Sequence, residues 1–266
     1  MTALRHLMTL DGRVAAITGG AGHIGRAMAD ALAELGAKVA LVDVVPAVES
    51  AAEDLSAKHG TRSAGFIADL ADEARVRALP TEIEAHLGGL DILIHNAGFV
   101  GTSGLKGWVC PFEEQSAETW RQAMEVNLTA PFVLTQAALP QLRRSGRGSV
   151  IMVSSIYGLV GPDLGLYEGT AMGNPAAYAA SKGGMMQMTR WLATVLAPAV
   201  RVNAIVPGGV ARNQPEPFVS RYVARTPLRR MATEDDFKGA AAYLASDMSA
   251  YVTGQALVVD GGWTAW

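Results

Sequence analysis

The chain of 266 residues is 50% hydrophobic and 18% charged, with 22 Lys and Arg against 25 Asp and Glu and a net charge of −3. The apolar content excludes intrinsic disorder, and the balanced charge creates no field that would attract nucleic acid or an anionic membrane surface. We therefore expect neither kind of partner.

The N-terminal residues and the cysteine content bear on where the protein works. Residues 1–18 lack the apolar core and cleavage site of a signal peptide, and no segment has 18 unbroken apolar residues. The single cysteine, Cys110, cannot form an internal disulfide, and no Cys/His cluster has zinc-ligand spacing. We expect a cytoplasmic protein without a membrane span or a metal site.

Short β-branched runs alternate along the chain with Ala- and Leu-rich stretches of helical period, a pattern typical of strand–helix units on a parallel sheet. The predicted strands are Val14–Thr18, Val39–Asp43, Ser63–Asp69, Ile92–Asn96, Ser149–Ser155, Val202–Pro207 and Ala256–Asp260. The first helix, Ile24–Leu35, should stop at Gly36. We predict an α/β fold: a Rossmann-like, doubly wound sheet of about seven parallel strands with helices on both faces, in one domain spanning residues 1–266.

A glycine-rich segment, Thr18–Gly25, joins the first strand to the first helix and contains Gly20-x-Gly22-x-x-Gly25. Because glycine has no side chain, the backbone of this segment can approach a pyrophosphate, and the negative charge of the pyrophosphate is favourable at a helix N-terminus. The alternative is that the glycines only form a tight turn. Asp43 ends the second strand. It follows Gly25 at about the sequence distance, roughly 20 residues, that is expected of an acidic residue that binds the cofactor ribose. A carboxylate there repels a 2′-phosphate, so we expect NAD rather than NADP.

Polar residues and long loops follow the other strands. Asp69 could reach the adenine edge and Asn96-Ala97-Gly98 the cofactor, although each could also be only a strand-terminating turn. Three long connections, at about 99–116, 156–174 and 209–233, also follow strands. Because the ligand crevice of an open parallel sheet lies beyond the strand carboxyl ends, these loops are the expected substrate loops.

Tyr178 and Lys182 stand at i and i+4 of a helical stretch, so they share one face. Alone, they could be a half-buried tyrosine and a surface lysine. Ser155 and Asn127, however, border the same crevice. Oxidation of an alcohol needs a base for the hydroxyl proton, and a phenol becomes one when a nearby ammonium stabilises the phenolate. Ser155 could hold the substrate oxygen, and Asn127 could interrupt its helix and hold a water.

Taken together, these segments resemble the short-chain dehydrogenase/reductase family along essentially the whole chain. The matching pieces are Thr18–Gly25, Asp69-Leu70, Asn96-Ala97-Gly98, Asn127, Ser155, Tyr178-x-x-x-Lys182, Pro207-Gly208, Thr253-Gly254 and Asp260-Gly261-Gly262. The resemblance implies that Tyr178 is the general acid/base, that Lys182 lowers its pKa and binds the nicotinamide ribose, and that Ser155 orients substrate. It also implies that Asn127 holds a proton-relay water, and that the protein is a homotetramer, or otherwise a homodimer.

The resemblance also implies the binding residues. Those for the cofactor are Gly19, Gly20, Gly22, His23, Ile24, Gly25, Asp43, Asp69, Leu70, Asn96, Ala97, Gly98, Tyr178, Lys182, Pro207, Gly208 and Val210. Those for the substrate are Ser155, Tyr167, Tyr178 and Gly209. The implied reaction interconverts a secondary alcohol and a ketone; the alternatives are a redox-neutral epimerase or dehydratase using bound NAD, and a non-catalytic NAD-binding regulator.

The sequence departs from the usual family pattern at several points. His23 replaces a glycine, as in the extended sugar-nucleotide branch, but residues 209–266 are too few for that branch's substrate domain. Arg212 stands where a threonine is common. Ser155 and Tyr178 are separated by more residues of sequence than is usual in the family. The extra residues lie in the segment Gly161–Thr170, which resembles a subgroup linked to polysaccharide or flagellin-sugar modification. We therefore expect a sugar, polyol or nucleotide-sugar substrate.

Three further features have two interpretations each. Tyr167 contacts substrate or packs its own loop, and Trp108 forms a lid wall or a buried anchor. The arginines between 212 and 230 either grip a substrate phosphate or form a solvated or subunit-facing run. The C-terminal Trp263 and Trp266 are expected to seal a subunit interface rather than a substrate cage.

Overall fold

The computed structural model describes residues 2–100 and 103–266, and its strands form one parallel sheet. The strands are β1 (Val14–Thr18), β2 (Lys38–Asp43), β3 (Ser63–Ile67), β4 (Ile92–His95), β5 (Gly148–Val153), β6 (Val200–Pro207) and β7 (Ala256–Val259). Their order is β3-β2-β1-β4-β5-β6-β7, and every neighbouring pair is parallel. The predicted doubly wound sheet is confirmed.

Helices connect the strands and cover both faces of the sheet. They are α1 (Leu4–Met8), α2 (His23–Glu34), α3 (Ala47–His59), α4 (Glu73–Leu87), α5 (Ala117–Met124), α6 (Ala130–Arg144), α7 (Ala176–Leu196), α8 (Glu216–Arg225) and α9 (Lys238–Ala245). Gly36 has a φ of +97° just after α2, which confirms the predicted left-handed stop. No helix within the described ranges is both long and apolar enough to cross a membrane.

The core lies in two layers, because successive side chains of a strand point to opposite faces of the sheet. From β1, Ala15 and Ile17 pack in the layer that contains α2, α3 and α9. Val14 and Ala16 pack in the layer that contains α4, α6 and α7. The edge strand β7 is only partly covered. Burial on both faces explains why the central strands read as continuous apolar runs rather than alternating ones.

Four predicted strands extended one or two residues too far, and among them β7 stops at Val259 rather than at Asp260. β3 stops at Ile67, β4 at His95 and β5 at Val153, so the predicted site residues Asp69, Asn96 and Ser155 lie just beyond their strands. Asp69 accepts a hydrogen bond from Ala71 N, and Ser155 accepts one from Tyr157 N, so both side chains cap turns. These polar residues therefore leave the sheet at its carboxyl edge, where the chain order reverses between β1 and β4.

Candidate active site

The glycine-rich segment forms a tight cradle between β1 and α2. Gly19 has a φ of +66°, and a Cβ on Gly25 would lie 2.2 Å from the carbonyl oxygen of Gly19. A Cβ on Gly20 would lie 2.9 Å from the Cβ of Leu41. Gly22 caps α2 without a side-chain hydrogen bond, so the first N–H groups of the helix remain available for an anion. The cradle fits a dinucleotide pyrophosphate.

His23 occupies the position that departs from the family pattern without disturbing this cradle. It is the first residue of α2, its side chain is 68% exposed, and its Nδ1 lies 3.7 Å from a carboxylate oxygen of Glu234. Arg212 also pairs with Glu234, at 3.4 Å. A side chain is tolerated here because it points away from the cradle, and the shared carboxylate links the cradle to the loop that follows β6.

Asn96 braces the cradle from the neighbouring strand. Its Nδ2 donates to the carbonyl oxygens of Thr18 and Gly19, at 3.0 and 3.2 Å. Thr18 Oγ1 in turn accepts from the backbone N–H groups of Asn96 and Ala97. A Cβ on Gly98 would lie 2.9 Å from Asn127 Oδ1 and 3.6 Å from Lys182 Nζ. The predicted Asn96-Ala97-Gly98 segment therefore fixes the nucleotide end against the chemical end.

The two predicted acidic residues differ in their surroundings. Asp43 turns back toward the cradle, where Oδ2 accepts from Ala21 N at 3.0 Å and Oδ1 accepts from Val44 N at 2.8 Å. Asp69 is exposed and caps its own turn, and Leu70 packs against the core. Asp43 is thus integrated with the glycine loop, and the contact of Asp69 with adenine stays a prediction.

Asn127 lies in a widened turn. Residues Glu125–Thr129 form a π-helical turn between α5 and α6, which is the interruption that the sequence led us to expect. The fully buried amide accepts from Phe99 N at 2.7 Å and donates to Phe99 O and Ser181 Oγ, each at 3.1 Å. Both the oxygen and the nitrogen of the side-chain amide are therefore engaged by protein groups, and the relay water at Asn127 stays a prediction.

Ser155, Tyr178 and Lys182 meet at one end of a cavity of about 520 Å³. Tyr178 is in the first turn of α7, and Lys182 follows one turn later, buried. Lys182 Nζ donates to Val153 O at 2.8 Å and lies 5.9 Å from the centroid of the Tyr178 ring. Ser154 Oγ donates to Lys182 O at 2.9 Å, which ties the end of β5 to α7. Three of the four residues predicted to do the chemistry thus line one cavity, and the fourth, Asn127, bonds to Ser181, which precedes Lys182 on α7.

Burial is the main cause of the pKa shifts of Tyr178 and Lys182. Burial raises the pKa of Tyr178, and hydrogen bonding by Ser155 opposes that rise. Burial also lowers the pKa of Lys182 to about 8. Removal of the phenol from water disfavours its anion, and Lys182 Nζ is engaged by Val153 O. The lowering of the Tyr178 pKa by Lys182 stays a prediction.

We predict that Lys182→Met stabilises the fold while it impairs turnover. The pKa of Lys182 falls to about 8 on folding, so at pH 7 its buried charge costs about 3 kcal/mol. Removal of the charge should therefore stabilise the fold, and loss of the hydrogen bond to Val153 O should offset about 1 kcal/mol of that stabilisation. The melting temperature at pH 7 should still rise by several degrees.

Thermal melts across pH test the sign of this effect. Between pH 8 and 10.5 the unfolded chain holds a proton on Lys182 that the folded chain releases, so wild-type stability rises there with pH. The advantage of Lys182→Met should therefore shrink across this window. A melting temperature that is lower than wild type at pH 7 would show that the ammonium stabilises the fold.

Two of the expected substrate loops supply most of the cavity wall. The predicted substrate residues Ser155, Tyr167, Tyr178 and Gly209 all line it, as do the predicted cofactor residues Ile24, Asn96, Lys182, Pro207, Gly208 and Val210. The first loop contributes Val100, and its Trp108 is a buried anchor whose Nε1 donates to Val100 O. Residues 101 and 102 of that loop lie outside the described ranges.

Sequence reasoning missed several residues of the wall. They are Tyr157, Met172, Asn174, Phe218 and Tyr222. Phe218 and Tyr222 stand at i and i+4 on α8, a spacing that indicates one shared face. Tyr157 directly follows the turn capped by Ser155, but nothing in the sequence distinguished it from a packed aromatic residue.

The arginines of the last long loop bond within the chain. Arg225 pairs with Asp163, and Arg221 Nη1 donates to Glu168 O at 2.5 Å, so both hold the extra segment, residues 161–170, against α8. Arg230 pairs with Asp236 at 2.6 Å. These contacts do not support the substrate-phosphate interpretation, because the guanidinium groups are already engaged by acceptors of the protein.

The expectation for Trp263 was wrong. Its side chain is 3% exposed within the chain, where it stacks on Tyr222 at 6.0 Å and lies edge-on to Tyr157 at 6.2 Å. Arg225 lies 5.0 Å from the centre of its ring. Trp263 therefore supports the cavity wall from behind and is not available to a subunit interface, whereas Trp266 is 72% exposed.

Comparisons with known proteins agree with this geometry. The family model described as enoyl-(acyl carrier protein) reductase matches residues 19–264. A cis-4-hydroxycyclohexanecarboxylate dehydrogenase from Sinomonas cyclohexanicum is 35% identical over 258 residues, which cover 95% of this chain and 97% of that protein.

Solved structures show the same fold along the whole chain. A gluconate 5-dehydrogenase from Burkholderia cenocepacia, in complex with NADP and tartrate, has a TM-score of 0.88 and 30% identity, covering 99% of this chain and 100% of that chain. An NAD⁺-bound xylitol dehydrogenase has a TM-score of 0.84 and 27% identity, covering 95% of this chain and 99% of that one. The sequence and structure matches each cover nearly the whole chain, and the chain belongs to the short-chain dehydrogenase/reductase family.

Proposed function

We propose that the protein is an NAD-dependent oxidoreductase that interconverts a secondary alcohol and a ketone. The observation that carries this proposal is that Ser155, Tyr178 and Lys182 line one cavity together with Ile24 of the glycine cradle and with Asn96, which braces the cradle. Acid/base groups and a dinucleotide site in one cavity are what alcohol oxidation requires. The residues 1–266 act as one domain, with substrate loops at about 99–116, 156–174 and 209–233.

Each residue of the group has a defined task in this mechanism. The glycine cradle and Lys182 would hold the nicotinamide cofactor, which would supply the hydride acceptor for oxidation of the carbinol carbon and the hydride donor for the reverse reaction. Ser155 holds the substrate oxygen, and Tyr178 takes its proton during oxidation or returns it during reduction. The Lys182 ammonium favours the phenolate, and the widened backbone turn at Asn127 holds the water that exchanges the proton with solvent.

NAD rather than NADP is the proposed cofactor, and the carboxylate of Asp43 supports this choice. Family members of known structure bind either nucleotide. Asp43 lies at the end of β2 and is held by Ala21 N of the cradle, so its negative charge is fixed beside the site proposed for the adenosine ribose. Charge repulsion there disfavours a 2′-phosphate.

We predict that Asp43→Asn shifts cofactor selectivity toward NADP by at least about fivefold, since one fixed charge about 4 Å from a phosphate is worth about 1–4 kcal/mol. Asparagine retains an oxygen that can accept from Ala21 N, so the change removes the charge and keeps the shape. The measurement is the ratio of kcat/KM for the two cofactors. Asp54→Asn, at an exposed position of α3, is the matched control. An unchanged ratio in Asp43→Asn would assign the discrimination to other residues.

The proposed substrate is a sugar, a polyol or a nucleotide sugar. Relatives carry names of dehydrogenases for hydroxycyclohexanecarboxylate, gluconate and xylitol. In this chain the cavity combines an aromatic wall with the polar side chains of Asn174, Asn213 and Gln214. Aromatic faces suit the C–H surfaces of a ring, and amides suit its hydroxyls.

We also propose a cytoplasmic homotetramer, or otherwise a homodimer. Large apolar side chains remain exposed on α5, α6 and α7, among them Trp120, Phe132 and Trp191, and β7 leaves an open sheet edge. Exposed patches and edges of this kind are usually covered by another subunit. The free thiol of Cys110 suits a reducing compartment.

The direct test follows NADH absorbance with purified protein and NAD at mildly alkaline pH. The substrate panel contains polyols, free sugars, nucleotide sugars, hydroxysteroids and simple secondary alcohols. Turnover of one group, dependent on Tyr178, is the expected result. Silence across the panel from a protein that binds NAD would count against the dehydrogenase and favour a redox-neutral enzyme or a regulator.

A further inference from the structure

Five aromatic side chains form a closed ring beside the predicted acid/base group, and we call them the aromatic belt. Its members are Tyr157, Tyr167, Phe218, Tyr222 and Trp263. Neighbouring ring centroids lie 5.4 to 6.2 Å apart from Tyr167 through Phe218, Tyr222 and Trp263 to Tyr157. The hydroxyls of Tyr157 and Tyr167, 2.7 Å apart, close the ring. The belt joins the extra segment after β5 to α8 and to the C-terminal residues.

The three hydroxyls of the belt are not equivalent. The hydroxyl of Tyr222 accepts from Gly209 N at 2.5 Å, so it is used to hold the loop after β6. The hydroxyls of Tyr157 and Tyr167 bond only to each other within the described part of the chain. Two phenols that share one hydrogen bond still have one O–H donor and several lone pairs for a third group. Both residues line the cavity, so that third group would come from a ligand.

The hydroxyl pair lies close to the predicted reaction centre. Tyr157 N donates to Ser155 Oγ at 3.2 Å, and Tyr178 is near enough to raise the pKa of both phenols beyond the effect of burial. The pKa of Tyr167 reaches about 12, and that of Tyr157 is also raised, so both stay uncharged at neutral pH.

The charged groups near the pair already have partners in the protein: ion pairs hold the acidic and arginine side chains, and a backbone carbonyl holds the Lys182 ammonium. Asp163 bonds to Arg225, Arg212 bonds to Glu234, and Lys182 Nζ donates to Val153 O. In contrast, neither amide atom of Asn174 has a partner among the residues that the structure describes. The wall near the pair therefore offers neutral hydrogen-bonding groups, which match a hydroxyl better than a carboxylate or an ammonium.

We propose that the hydroxyl pair of Tyr157 and Tyr167 is a subsite for a second, uncharged hydroxyl of the substrate, which makes the enzyme selective for ring diols and polyols over monoalcohols. This inference rests on the proposed dehydrogenase function and assigns the substrate class of the same site. The pair gives one hydrogen bond to the second hydroxyl and accepts another from it.

Kinetics on matched ring alcohols test the subsite. The substrates are cyclohexanol and the isomers of cyclohexane-1,2-, 1,3- and 1,4-diol, and the readout is the ratio of kcat/KM for each diol to that for cyclohexanol. We expect at least one diol to exceed cyclohexanol by about tenfold or more in wild type. In Tyr157→Phe, Tyr167→Phe and the double variant, that ratio should fall to about one, mainly through KM. Tyr251→Phe, at a fully exposed tyrosine, should keep the wild-type ratio.

A binding measurement separates the subsite from the chemistry. Titration of each diol into the protein with NADH present, followed by calorimetry, needs no turnover. Binding of a diol that is lost in the double Phe variant, without oxidation of any substrate, would overturn the proposed function and support the subsite. Oxidation of all substrates at equal kcat/KM in wild type would overturn the subsite and leave the dehydrogenase intact. An equal loss on cyclohexanol and the diols in the Phe variants would also overturn it, because the pair would then only hold the loop.

Discussion

Tyr178→Phe is expected to lower turnover by about 10²–10⁴-fold, which is the usual contribution of a positioned acid/base group. The phenol lies in the cavity beside Ser155, and removal of its oxygen leaves no other group with an O–H in the same place on α7. The ring keeps its packing against Trp108 and Ala177, so fold and cofactor binding should be retained. The effect should thus fall on kcat.

Stopped-flow or steady-state NADH absorbance measures this loss, and NADH fluorescence titration measures binding in the same preparation. Tyr251→Phe makes the same chemical change at an exposed position and should behave as wild type. Activity within a few-fold of wild type in Tyr178→Phe would assign the proton transfer to another residue.

Gly25→Ala is expected to weaken NADH binding by about 10–100-fold, since overpacking of this kind costs about 1–3 kcal/mol. The added Cβ would lie 2.2 Å from the carbonyl oxygen of Gly19 and 2.9 Å from Asn96 Nδ2. Both contacts belong to the cradle itself, so relief of the clash requires the backbone around Gly19 to move. That movement would displace the surfaces that face the pyrophosphate.

A fluorescence titration with NADH measures the change in binding, and a thermal melt shows whether the fold is kept. Gly239→Ala is the matched control, because a Cβ at this position of α9 meets no atom within 4 Å. Equal NADH affinity in Gly25→Ala and wild type would mean that the cradle does not bind the dinucleotide.

Local sequence patterns were sufficient for the sheet and the nucleotide end. Parallel strands buried on both faces have apolar runs whose ends are marked by Gly, Asn or Asp, and such runs stand out in a single sequence. The cradle is contiguous in the chain, from Thr18 to Gly25, and its spacing indicated its use together with the strand before it, the helix after it and the acidic Asp43 beyond. The ends of β3, β4 and β5 were misjudged because the side chains of Asp69, Asn96 and Ser155 form cap and brace contacts instead of continuing the ladder.

The sequence by itself therefore determined the fold class and the family, because the strand runs, the glycine cradle and the Tyr178–Lys182 spacing are local patterns. The four residues proposed for the chemistry were predicted from the family resemblance that these patterns support. Only the tertiary structure decided the roles of Trp263 and the arginines and the pairing of Tyr157 with Tyr167. Those contacts join residues from the segment after β5, from α8 and from the C-terminus. Aromatic and guanidinium groups pack in many environments, so their partners follow only from where the folded sheet brings these segments.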